Sequence, residues 1–123
     1  MASNKVRSGS EKILQLKQEI KNRAGIVTVT GKIYLYEIHS LRETLEDYFQ
    51  RTDLKHVILE LSDVDFIDSS GIGLLVANAA KFKEKGVSFC LVNLNSSVEH
   101  LFRLTAIARL FKRFNSIDEA LQS

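Results

Sequence analysis

Val57-Ile58-Leu59-Glu60-Leu61-Ser62-Asp63-Val64-Asp65-Phe66-Ile67-Asp68-Ser69-Ser70-Gly71-Ile72-Gly73 opens on a nearly apolar run and closes on small and polar residues that favour the start of a helix. A run such as Val57 to Leu61, with one charge among five residues, suits a central strand covered on both faces. Ser62 to Asp68 reads as a loop, and Ser70 to Lys83 as a helix with Ile72, Leu75, Val76, Ala79 and Phe82 on one side, ended by Gly86. Asp68 or Ser69 can cap that helix, Gly71 and Gly73 permit a tight approach at its start, and Val64, Phe66 and Ile67 anchor the loop in the core. A strand that hands over to a helix in this way places the segment at the carboxyl edge of a sheet, where ligands and partners meet α/β folds.

On the amino side, Leu14, Leu16 and Ile20 alternate with polar residues, and Ile26-Val27-Thr28-Val29-Thr30 follows a turn at Asn22 to Gly25. That pattern predicts a β-hairpin. Ile38, Leu41, Leu45, Tyr48 and Phe49 then recur at helical spacing, opposite Arg42, Glu43, Glu46 and Asp47, which predicts an amphipathic helix over 37–51. On the carboxyl side a strand is expected over 87–92, and Ser96-Ser97-Val98-Glu99 has the form of a capping box opening a helix anchored by Leu101, Phe102 and Ile107. A short strand over 110–114 and a second capping box, Ser116-Ile117-Asp118-Glu119, complete the chain. The order β-β-α-β-α-β-α-β-α predicts one α/β domain, a mixed sheet of about five strands carrying about four helices, with parallel crossovers after an antiparallel start.

Composition narrows the function. The 123 residues, 45% hydrophobic and 26% charged, suffice for one domain with a core that needs no disulfide or metal staple. Residues 1–12 are polar and read as a flexible tail. The single cysteine, Cys90, sits among apolar neighbours as a buried hydrophobe, and with no signal-like segment at the start it points to a cytoplasmic setting. No apolar run approaches the ~20 residues of a membrane span, which argues against membrane insertion. A net charge of +2 is too small for a nucleic-acid footprint, and Arg103, Arg109, Lys112 and Arg113 read as a solvated edge.

Enzyme signatures fall short in turn. Gly71-Ile72-Gly73 lacks the third glycine of a dinucleotide loop, since position 76 is valine, and no Gly-Lys-Ser or Gly-Lys-Thr of a phosphate loop occurs. Asp63, Asp65 and Asp68 could hold magnesium, a distant phosphotransferase-like alternative with no catalytic lysine to complete it. His39, His56 and His100 fall in unrelated elements without zinc-ligand spacing. No catalytic residue, cofactor or metal is assigned.

At Asp68-Ser69-Ser70-Gly71-Ile72-Gly73-Leu74-Leu75, preceded by Asp65-Phe66-Ile67, the sequence resembles the STAS domain of bacterial anti-sigma factor antagonists. The likeness extends to Thr28-Val29-Thr30-Gly31, Lys85-Gly86-Val87, Leu91-Val92-Asn93 and Glu119-Ala120-Leu121, and so spans residues 13–123. It implies a non-enzymatic, partner-switching adaptor. The unmodified form binds an anti-sigma factor that is also a serine kinase with a histidine-kinase-like ATPase fold, and thereby frees a sigma factor; a serine phosphatase is a further implied partner. The serine before the motif glycine is the modified one, which carries over to Ser70, with Ser69 as its competitor. Asp68, Ser69, Gly71, Ile72 and Gly73 would then form the partner-binding motif around it. Where the family often has Gly-x-Leu-Asp before the first helix, this chain has Gly31-Lys32-Ile33-Tyr34. The other expectation is a phosphorylation-independent STAS interaction subunit of a larger signalling or transport complex, using the same surface.

Overall fold

In the computed structural model, which describes residues 14–123, a two-residue turn at Asn22 and Arg23 folds β1 (Leu14–Lys21) back on β2 (Ala24–Ile33). Both turn residues have positive φ, 54° and 62°, the combination of a type I′ hairpin, whose twist matches that of its strands. The tail expected over residues 1–12 lies outside the described residues. There follow α1 (His39–Gln50), β3 (His56–Ile67), α2 (Ser69–Lys85), β4 (Ser88–Val92), α3 (Ser96–Thr105), a 3-10 turn (Ile107–Leu110), β5 (Lys112–Phe114) and α4 (Ile117–Leu121). The chain thus adopts the expected α/β architecture of one five-stranded mixed sheet and four α-helices among the described residues.

Strand order follows chain order, β1-β2-β3-β4-β5, with β1 and β2 antiparallel and every later pair parallel. Successive crossovers that step the same way along a sheet share one hand, so their helices fall on one side. Leu41 and Leu45 of α1, Leu75 and Phe82 of α2 and Phe102 of α3 accordingly pack in one cluster with Val27, Val29, Leu59 and Leu91 of the strands. On the opposite face Ala120 of α4 meets Ala24, Ile26, Ile58, Cys90 and Val92. A fully buried Leu or Phe contributes roughly 1.5–3 kcal/mol, and α4 buries only an alanine completely, so the three-helix face carries most of the stability.

Three expected elements differ. Residues 62–67 form the second half of β3 rather than a loop, paired to β2 as far as Ile33 opposite Ile67. Between Thr28 and Thr30, and again between Gly31 and Lys32, β3 carries one extra residue. These bulges space the buried residues Leu61, Val64 and Ile67 three apart, which removes the two-residue alternation that marks a strand. Phe66 is correspondingly an exposed side chain and not a core anchor. The cap of α3 is Asn95, whose side-chain oxygen accepts from Val98 N–H (3.1 Å), rather than Ser96. Asn95 wins because its amide also donates to Val64 O, and Glu99 instead takes Arg113 (2.6 Å) and Arg103 (3.5 Å). The expected strand over 110–114 is shortened to Lys112–Phe114 by the 3-10 turn. At the second expected box Ser116 caps α4, its Oγ accepting from Glu119 N–H (3.0 Å), while Glu119 reaches back to Asn115 N–H (2.8 Å), one residue before the cap, rather than to Ser116 N–H.

Candidate functional site

Asp68 is the hinge pin of the carboxyl edge. Its backbone N–H donates to Ile33 O (3.0 Å), tying the end of β3 to the end of β2. One carboxylate oxygen accepts from Gly71 N–H (2.9 Å) and caps α2; the other accepts from Leu35 N–H (3.1 Å) in the loop after β2. A single side chain therefore fastens two segments that are 33 residues apart.

With Asp68 as the cap, Ser69 and Ser70 occupy the first two positions of α2. Ser69 is exposed and Ser70 half-buried, so both lie at the mouth of the helix and neither is sealed in the core. The capping bond falls to Asp68, not to either serine hydroxyl. Gly71 is buried, and a Cβ there would stand 2.7 Å from Ile33 O and 2.8 Å from Ile67 Cγ2, so the helix start is pressed onto the strand ends as no larger residue allows. Gly73 differs. It is exposed, with nothing within 4 Å of its Cβ position, so it serves no close approach within the fold. Ile72 is half-buried and packs against the core cluster.

α2 is rotated from the expected face: Gly71, Leu74, Leu75, Asn78 and Phe82 are buried, while Ile72, Val76 and Ala79 are partly covered. Asn78 is buried because its Nδ2 is satisfied by Leu74 O (2.9 Å) one turn back. Beside the helix mouth, the loop after β2 leaves Leu35 56% and Tyr36 80% exposed, and Phe66 is 46% exposed at the end of β3. Tyr34, which stands where the resemblance leads one to expect aspartate, sets its ring edge-on to Tyr36 at 6.1 Å. These apolar groups were not singled out as site residues from sequence, although the run Tyr34-Leu35-Tyr36 directly after a strand carries the signal.

A STAS domain model matches residues 15–120.

The chain belongs to the STAS family.

Among its relatives are an anti-sigma F factor antagonist of Paenibacillus polymyxa, 23% identical over 88% of this chain and 92% of that protein. An anti-sigma-B factor antagonist of Bacillus subtilis is 33% identical over 66% of this chain and 72% of its own length. The crystal structure of an anti-sigma factor antagonist from Mycobacterium paratuberculosis superposes with a TM-score of 0.77 at 21% identity, covering 92% of this chain and 95% of that one, which speaks to the shared fold.

The other residues weighed as functional lie apart from this STAS helix mouth. Asp65 is exposed and pairs with Lys32 (3.1 Å), Asp63 is exposed on β3, and among the described residues no three His, Cys, Asp or Glu side chains come together as metal ligands. His39 pairs with Glu43 (3.2 Å) on α1. Cys90 is fully buried, and burial pushes its thiol up, away from the reactive thiolate. Of the four basic residues read as one solvated edge, Arg103 and Arg113 converge on Glu99 while Arg109 and Lys112 line a separate cleft. Among the described residues no helix is long and apolar enough to cross a membrane.

Proposed function

We propose that this protein is a cytoplasmic, non-enzymatic anti-sigma factor antagonist whose docking is switched by phosphorylation of Ser70. The unmodified protein binds an anti-sigma factor that is also a serine kinase of the histidine-kinase-like ATPase fold, and so frees a sigma factor; a serine phosphatase resets it. The observation that carries this reading is the half-buried Ser70 at the second position of α2, two residues after the capping Asp68, in a chain whose relatives are named anti-sigma factor antagonists. Leu35, Tyr36 and Phe66 supply the apolar part of the docking surface, with Asp68, Ser69, Ile72 and Gly73 at its centre.

The energetics favour a switch on association rather than on folding. A phosphoserine adds about −1.5 to −2 charges, and at a helix start the dipole stabilises it by roughly 0.3–1 kcal/mol. Against a partner surface the same dianion beside Asp68 must be desolvated, at a cost of several kcal/mol. The larger penalty falls on the complex. Incubation with the anti-sigma kinase recovered from host lysate, ATP and site-mapping mass spectrometry should place phosphate on Ser70; labelling confined to Ser8 or Ser10 sinks the assignment. Ser70→Asp should abolish recovery of that kinase in a pull-down. Unchanged recovery would instead favour the phosphorylation-independent subunit.

A further inference from the structure

At the other edge of the sheet, where β3, β4 and β5 begin and α2 ends, lies a cleft of about 700 Å³. Its rim brings together Lys55 ahead of β3, Lys83 in the last turn of α2, Arg109 in the 3-10 turn and Lys112 at the start of β5, with His56 and Ser88 between them. No Asp or Glu side chain lines it, although Ser123, which ends the sequence and carries its terminal carboxylate, also borders it; the rest of the lining is largely apolar. Four cations are gathered there from separate parts of the chain. The ion pairs among the described residues engage Lys32, His39, Arg51, Lys81, Arg103 and Arg113, and none of the four. Lys83 is accounted for by the carboxyl end of α2, whose partial negative charge favours a cation. The other three have no such partner.

We propose that this cleft binds a phosphate group. Backbone amides at this edge are already spent, His56 N–H on Arg23 O and Ser88 N–H on Lys55 O, so recognition must come from side chains. Arg109 offers a planar fork suited to two phosphate oxygens and the lysines supply point charges. Lys112 Nζ already reaches Ser88 Oγ (3.4 Å), which holds ammonium and hydroxyl on one side of the cleft. His56 stands between these cations in the lining, and its Nδ1 is buried without a hydrogen-bond partner. Burial, then Lys112, then Lys55 hold that imidazole below its ordinary value; a bound dianion cancels the lysine repulsion. The volume lies in the range of small-molecule sites and exceeds what one bare ion fills, so the phosphate is carried on a small organic group.

Ala79 and Lys83, the α2 residues that line the cleft, lie nine and thirteen residues beyond Ser70, so roughly 14–20 Å along the helix separates the two sites, and this inference stands apart from the proposed switch. The full chain, labelled for NMR, is titrated at constant ionic strength with pyrophosphate, inorganic phosphate and glycerol phosphate, following amide and histidine ring signals. Saturable shifts at His56, Ser88 and Lys112, with a raised His56 pKa, are expected, and glycerol phosphate should bind at least as tightly as inorganic phosphate. Arg109→Gln with Lys112→Gln should weaken binding tenfold or more while the remaining spectrum is preserved. Shifts that sodium chloride reproduces, or undiminished binding by the double variant, overturn the proposal. Ser70→Asp leaves the titration unchanged.

Discussion

Asp68 and Gly71 are each specified by a contact that can be removed singly. Asp68→Ala forfeits the bonds to Gly71 and Leu35 N–H and should cost about 1–2 kcal/mol in urea unfolding, the upper range for a lost N-cap. Asp68→Asn, which keeps an acceptor, should recover part of that. Gly71→Ala forces a methyl against Ile33 O and should destabilise by about 1–3 kcal/mol. Gly73→Ala meets open space and should be neutral or gain up to ~1 kcal/mol from helix propensity; a loss comparable to that of Gly71→Ala would contradict the geometry. The sequence marks both glycines equally, since nothing local separates a glycine pressed on a strand end from one facing solvent.

Among elements, α2 joins structure to function, and its prediction belongs to the helix rather than to one contact. Ser70→Asp adds a negative charge at the amino end of α2 and should leave urea stability within ~1 kcal/mol of the parent, while on the proposed reading it removes partner docking. A variant that unfolds would mean that the switch works by melting α2. The position of α2 was legible from Gly86, which takes φ 81° at its carboxyl end, and from the small residues at its start. Its buried face was less so, because Asn78 reads as polar until its amide is seen bonded to Leu74 O. β3 was half legible: Val57 to Leu61 declare a strand, whereas the bulges hide its continuation to Ile67. Likewise Asn95 and Ser96 are both competent caps, and only the reach of Asn95 to Val64 O chooses between them.

For the whole molecule, acid sensitivity should begin with His56. Its folded value is held below the ordinary 6.5 by burial and by Lys112 and Lys55, so between those two values the unfolded chain binds the extra proton. Stability is therefore full above the ordinary histidine value and falls as pH drops through it toward the lowered one; His56→Gln should flatten the Tm profile over that stretch. Glu99 acts lower. Hydrogen bonding to Arg113 holds its carboxyl below 4.5, so its contribution is present above the ordinary glutamate value and is lost as pH falls through the lowered one. The amino-acid order alone determined the succession of strands and helices, the α/β class and the segment holding the serines, because periodicity, caps and glycine are local signals. Tertiary structure decided that Asp68 clasps two segments, that Gly71 and Gly73 face opposite surroundings, and that cations from separate parts of the chain share one cleft. Those facts depend on which strand ends become neighbours, and adjacency between residues 33 and 67, or 55 and 112, exists only once the sheet has assembled.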